Sequence, residues 1–147
     1  MWSQLEEEAP ALAAFGARRL SVGVAYLSTV RADGCPRVHP VTPIIADGRL
    51  FVFMEPTSPK GRDLRDRRWF ALHNSVPDST GTGGEFSCCG TADLTEDPAA
   101  RASAATAATY DPADRYILFE LRLLEARCGG YGDVVLPDPM RWVPGGS

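Results

Sequence analysis

Lysine is almost missing from this chain: Lys60 stands alone against fourteen arginines. Such a bias points to a GC-rich genome, where exposed lysine drifts to arginine. A lysine that survives marks a place where a compact ammonium is wanted rather than a planar fork. Histidine is nearly as scarce, with only His39 and His73, and the four cysteines (Cys35, Cys88, Cys89, Cys128) contain no C-x-x-C spacing. That set makes a poor zinc site. Cys88 and Cys89, as neighbours on a strand, would point to opposite faces, and all four read as small apolar core fillers in a reducing compartment. Basic excess is lacking too: a formal charge of −4 and a pI near 5.1 exclude a broad nucleic-acid surface. No apolar run approaches a membrane span, and the acidic start, Met1 to Glu8, is unlike a signal peptide. The expected location is cytoplasmic.

What is present is the composition of an ordinary globular protein, 44% hydrophobic and 23% charged, in a 147-residue chain long enough for one core. Residues 1–147 are expected to form one domain, with an N-terminal helix over 1–19 and an irregular tail over 129–147. Leu5, Leu12 and Phe15 give that helix an apolar side, with Ser3 as N-cap and Glu6 at the capping-box position. Strands are expected over 22–30, 37–46 and 50–54, joined by turns at Asp33-Gly34 and Asp47-Gly48. Pro40 and Pro43 mark the second as irregular or an edge. A short helix over 60–67 leads to strands at 69–74 and 85–94. Asp97-Pro98 then opens an alanine helix running to about Tyr110. Residues 115–127 read as a sixth strand, although Leu-Arg-Leu-Leu-Glu could also be helical. Six antiparallel strands with short helices suggest a small closed or half-open barrel, which its own side chains would fill. A large cofactor would then have to bind outside, where a second copy could cover it.

The solitary lysine lies in Thr57-Ser58-Pro59-Lys60-Gly61-Arg62-Asp63-Leu64. Ser58 brings a hydroxyl, Lys60 a point charge and Gly61 a close backbone approach, at what reads as a helix start. Together they could cradle a phosphate. A surface turn with a solvated lysine is the plainer reading of the same segment.

These segments, taken in order, resemble a known family. Pro36-Arg37-Val38-His39-Pro40-Val41, Asp47-Gly48-Arg49-Leu50 and Ser58-Pro59-Lys60-Gly61-Arg62-Asp63-Leu64 look like the flavin-binding split-barrel superfamily of pyridoxamine 5′-phosphate oxidase. The likeness continues through Ala71-Leu72-His73, Gly84-Glu85-Phe86, Gly90-Thr91-Ala92-Asp93-Leu94 and Asp97-Pro98. It spans roughly residues 20 to 128 and implies a mainly β (α+β) fold, a six-stranded antiparallel split β-barrel with short flanking helices. It also implies a homodimer with two cofactor sites between the barrels. By this resemblance Arg37, Val38, His39, Pro40 and Val41 would run beside a flavin ring. Thr57, Ser58 and Lys60 would hold its phosphate, with Arg62 at the same helix start. Arg37 would contact phosphate or ring edge, or else solvent. His39 would be a hydrogen-bonding strand residue or a base.

The departures are as informative. In place of the oxidase's C-terminal signature the chain has Phe119-Glu120-Leu121-Arg122, and no histidine follows His73, so pyridoxamine phosphate is not the expected substrate. Asp63 stands where many relatives carry asparagine, putting a negative charge near the phosphate unless Arg62 or Arg65 offsets it. The expected cofactor is FMN, because Ser58 and Lys60 account for one phosphate. The alternative is the deazaflavin coenzyme F-420, whose acidic tail would need the basic run Arg62, Arg65, Arg67 and Arg68. A non-enzymatic flavin- or haem-binding dimer would share the fold. The function expected is a flavin-dependent oxidoreductase acting on a small organic molecule, with no catalytic residue named.

Overall fold

The computed structural model describes residues 1–146. Four helices and eight strands follow in chain order: α1 (Trp2–Glu8), α2 (Pro10–Leu20), β1 (Ala25–Val30), β2 (Pro36–Val41), β3 (Ile44–Ala46), β4 (Arg49–Met54), α3 (Pro59–Arg67), β5 (Trp69–Asn74), β6 (Glu85–Thr95), α4 (Pro98–Ala107), β7 (Ile117–Gly129) and β8 (Arg141–Trp142). All strand pairs are antiparallel in the order β2-β1-β5-β6-β7-β4-β3, with β8 added to β7. The sheet's two ends, β2 and β3, are joined by Thr42 and Pro43 alone, so the sheet must curl until its edges meet. This is the half-open, split form of a barrel. Among the described residues no helix is long and apolar enough to cross a membrane.

Eight strands replace the six expected. The stretch 37–46 divides at Thr42-Pro43, where proline cannot donate to a ladder, and β8 emerges from the tail. The tail is therefore not wholly irregular: Trp142 is buried, and its Nε1 donates to Glu8 Oε2 at 2.7 Å. The single N-terminal helix is also corrected. It breaks at Ala9, at φ −146, because the residue before Pro10 is pushed out of the helical region. Ser3 lies inside α1 and makes no cap.

Both Asp-Gly turns form. At the second, Asp47 and Gly48 adopt φ +51 and +67, the left-handed pair of a two-residue hairpin. Asp97 caps α4, its carboxylate accepting from Ala99 N–H at 3.1 Å, with Pro98 in the first turn. The barrel interior holds Leu27, Leu50, Val52, Leu72, Phe86, Phe119 and Leu121, closed at one end by Trp2, Leu5, Leu12 and Phe15 of α1 and α2. A second, smaller cluster packs α4 on the outer side of β3, β4 and β7 through Ala100, Ala104, Phe51, Phe53 and Leu118. Cys88 faces the core while Cys89 is half-buried on the other face. Burial pushes the Cys88 thiol well above its usual range, which suits a packing role.

Candidate functional site

Alternation along β2 sorts the expected cofactor residues into two sets. Arg37 and His39 are half-buried and Val41 is buried, all on the side that meets α3 and the core. Val38 and Pro40 are exposed on the outer face, opposite Ser28 and Tyr26 of β1. The structure thus brings Arg37 and His39 toward Lys60 and turns Val38 and Pro40 away.

Ser58 caps α3, its Oγ accepting the Gly61 N–H at 3.2 Å. Gly61 sits so close to this cap that a Cβ would lie 3.0 Å from Ser58 Oγ. The cap corrects the expectation of several free backbone donors. Pro59 has no N–H and the Gly61 N–H is engaged, which leaves the Lys60 N–H and the Ser58 hydroxyl hydrogen. Thr57 is exposed, and its carbonyl accepts from Arg62 at 3.2 Å.

Asp63 occupies the centre. Its carboxylate, 5% exposed, accepts from Thr29 Oγ1 at 2.8 Å and Arg37 Nε at 2.9 Å, with Arg67 at 3.5 Å. Burial pushes the carboxyl upward, but the hydrogen bonds from Thr29 and Arg37 and the charges of Arg37 and Arg67 outweigh it. The group is held below the usual carboxylate range. Arg37 and Arg67 therefore offset Asp63, not Arg62 or Arg65 as the sequence suggested. Arg62 and Arg65 instead donate to the carbonyls of Thr57 and Pro56. Arg67 also donates to Val30 O at 2.7 Å, and Arg68 to Ala92 O and Asp93. All four arginines of the basic run are thus tied to the chain itself. Sequence reasoning missed Thr29, although a signal existed: it is the polar member of the inward set Ala25, Leu27 and Thr29.

Lys60, Arg37 and Arg67 bring positive charge close to Asp63, with Asp33 and Asp66 at the rim of the same hollow. Lys60 is half-buried, and loss of water pulls its pKa down. Burial also lowers the pKa of His39, and the charges of Lys60 and Arg37 lower it further against the opposing pull of Asp63. The His39 Nε2 is buried without a hydrogen-bond partner. Such an orphan costs on the order of 1–3 kcal/mol and calls for an explanation. Lys60, Arg37 and His39 share one region, and the carboxylate that acts on His39, Asp63, is already engaged by three donors. That arrangement suits an anion and fits a phosphate group, with the Ser58 hydroxyl and Lys60 N–H at its edge.

A cavity of about 930 Å³ lies elsewhere, between Phe15 and Arg18 of α2 and the segments carrying Thr80 and Tyr131. The Lys60 region is an open strand edge, as a site built on the outside of a filled barrel would be.

No family model and no curated protein sequence matches this chain. Solved structures do match in fold. A heme-binding protein from Mycobacterium smegmatis aligns at TM-score 0.65 and 21% identity over 82% of this chain, which spans 55% of that protein's length. A NimC/NimA family protein from Clostridium acetobutylicum aligns at TM-score 0.67 and 15% identity, covering 84% of this chain and 87% of the other. A candidate pyridoxamine 5′-phosphate oxidase from Listeria innocua aligns at TM-score 0.60 and 14% identity, covering 76% and 93%. The fold is that of the pyridoxamine 5′-phosphate oxidase-like split barrels. At these identities the likeness carries the fold and not the chemistry.

Proposed function

We propose that this chain is an FMN-binding split-barrel protein that works as a homodimer and, with flavin bound, as an oxidoreductase on a small organic substrate. The observation that carries this reading is the orphaned His39 Nε2 between Lys60 and Arg37, beside a capped helix start. Lys60, Arg37 and the Ser58 hydroxyl would hold the phosphate, and β2 would lie along the ring. FMN supplies hydride chemistry when bound; the chain supplies position, charge and exclusion of water. FMN is favoured over coenzyme F-420 because Arg62, Arg65, Arg67 and Arg68 are engaged within the chain. A haem-binding role is the second reading, favoured by the heme-binding neighbour alone.

Titrating the cofactor-free protein separates these readings. FMN is expected to bind, with riboflavin, coenzyme F-420 and haemin all weaker. Lys60→Ala should lose one charge-assisted phosphate contact, worth about 1.5–3 kcal/mol or roughly ten- to a hundredfold in affinity, without unfolding. Lys60→Arg should also bind less well, because the larger planar head misplaces its charge. Unchanged FMN affinity in Lys60→Ala would show the phosphate assignment to be wrong.

The homodimer rests on the outer face of the sheet. Tyr26, Val38, Trp69 and Leu124 are 44%, 62%, 57% and 47% exposed there, around the small residues Ser28, Ala71 and Cys89. Apolar residues around a flat, small-residue centre, bordered by Arg122, Glu125 and Arg127 of β7, suit a two-fold contact with an apolar middle and a charged rim. Equilibrium sedimentation at micromolar concentration is expected to give mostly dimer. A monomer that still binds FMN would overturn the interface.

A further inference from the structure

We propose that the recess between the end of α2 and the β5–β6 loop binds a small carboxylic acid with an apolar body, its carboxylate taken by Arg19. The recess encloses about 530 Å³, a size usual for small-molecule sites. Its walls include Val22, Val24, Tyr26 and Val76, 59%, 39%, 44% and 36% exposed despite their apolar side chains. Arg19 is the one charged residue lining it, and no Asp or Glu is among the lining residues. This guanidinium has no ion pair among the described residues. Its Nε is buried with no hydrogen-bond partner, and one terminal nitrogen reaches Thr82 O at 3.5 Å, the outer limit of such a bond.

The loop is shaped around this cation. Gly83, at φ +83, a conformation that favours glycine, passes close by, and a Cβ there would push the guanidinium out of its present place. Asp78 stiffens the loop from outside by accepting from the backbone N–H and hydroxyl of both Thr80 and Thr82. An unpaired, partly desolvated guanidinium among apolar walls selects a carboxylate that carries apolar surface.

The recess also has a meaningful place. Tyr26 on its wall pairs with Pro40 of β2, at the opposite end of that strand from Arg37. Three residue steps of strand span roughly 10 Å, so a flavin with its phosphate near Lys60 would present its ring toward this end. That the acid is the substrate rests on the FMN reading; that it binds does not.

The test uses benzoate and hexanoate against benzamide and hexanamide, titrated into the cofactor-free protein by calorimetry. The acids are expected to bind at least tenfold tighter than the amides, and Arg19→Gln should remove that preference. Arg18→Gln should keep it. Val24→Asp, at an exposed wall position, should repel the acids with the fold intact. Equal binding of acids and amides, no binding of either, or undiminished acid affinity in Arg19→Gln would overturn the site. In the FMN-loaded protein, bound benzoate should shift the flavin absorption bands. An unshifted spectrum with acid binding intact would overturn the substrate assignment. Acid binding in a protein that takes up no FMN would uphold the site and sink the flavin reading instead.

Discussion

The Asp63→Ala variant is expected to unfold roughly 6–12 °C below the parent, equivalent to about 3 kcal/mol for a chain of this size. The carboxylate is buried and accepts from two elements besides its own helix, Thr29 on β1 and Arg37 on β2, with Arg67 closing the cluster. Removing it leaves a buried hydroxyl and Arg37 without their acceptor, and Arg67 with only the Val30 carbonyl as hydrogen-bond acceptor. The estimate stays at the low end for a broken buried pair because Arg37 and Arg67 are 30% and 29% exposed and can turn to water. Asp63→Asn keeps the shape and the acceptor but not the charge, so its loss should be smaller. The sign with pH follows from the lowered carboxyl. Its contribution is full above the unfolded value near 3.8 and falls away as pH drops through the folded value below it. Thermal melts from pH 3 to 7 should therefore show the gap between parent and Asp63→Asn closing only below about pH 4. A gap constant across that range would mean that charge plays no part. FMN affinity should hold or rise in Asp63→Asn, since the negative charge beside Arg37 is removed while its acceptor stays.

Gly90→Ala is the other large effect. Between Cys89 and Gly90 the β6–β7 register shifts, leaving Leu124 as an extra residue on β7. Gly90 lies against this bulge, where a Cβ would come 1.8 Å from Arg122 O and 3.0 Å from Leu124 N. Those are backbone atoms, so no side chain can swing aside. Either the bulge or the long β6–β7 pairing must give way. The expected cost is about 3 kcal/mol or more, the upper end of overpacking. Gly132→Ala serves as the control: it has a positive φ of 64 but nothing within 4 Å, and should lose only about 1 kcal/mol. A Gly90→Ala protein that melts with the parent would show that the bulge does not form as described.

Much of the architecture was legible because it depends on local chemistry. The Asp-Gly pairs at 33–34 and 47–48 announce hairpins, Ser58-Pro59 and Asp97-Pro98 announce helix starts, and 69–74 alternates as a strand should. The errors came where one residue overrules its neighbours. Pro10 breaks an otherwise continuous helix, and Pro43 divides a strand that then serves both ends of the sheet. The site was legible as a list and not as a geometry. Lys60 and Ser58 could be named from sequence, but the partner of Asp63 could not. Arg62 and Arg65 are its neighbours along the chain, while Thr29 and Arg37 reach it only through folding. Arg19 gave no signal either, because its isolation depends on a loop more than sixty residues away.

β2 carries prolines at both Pro36 and Pro40, and Pro43 follows just beyond it, on a strand that ends the sheet. A foreign strand seeking to extend the ladder there would meet missing donors at regular intervals and could not zip up. Concentrated protein stripped of any ligand should therefore associate face to face and resist fibril growth from this edge, while the carbonyls of the same strand stay available to a hydrogen-bond donor small enough to use one or two of them.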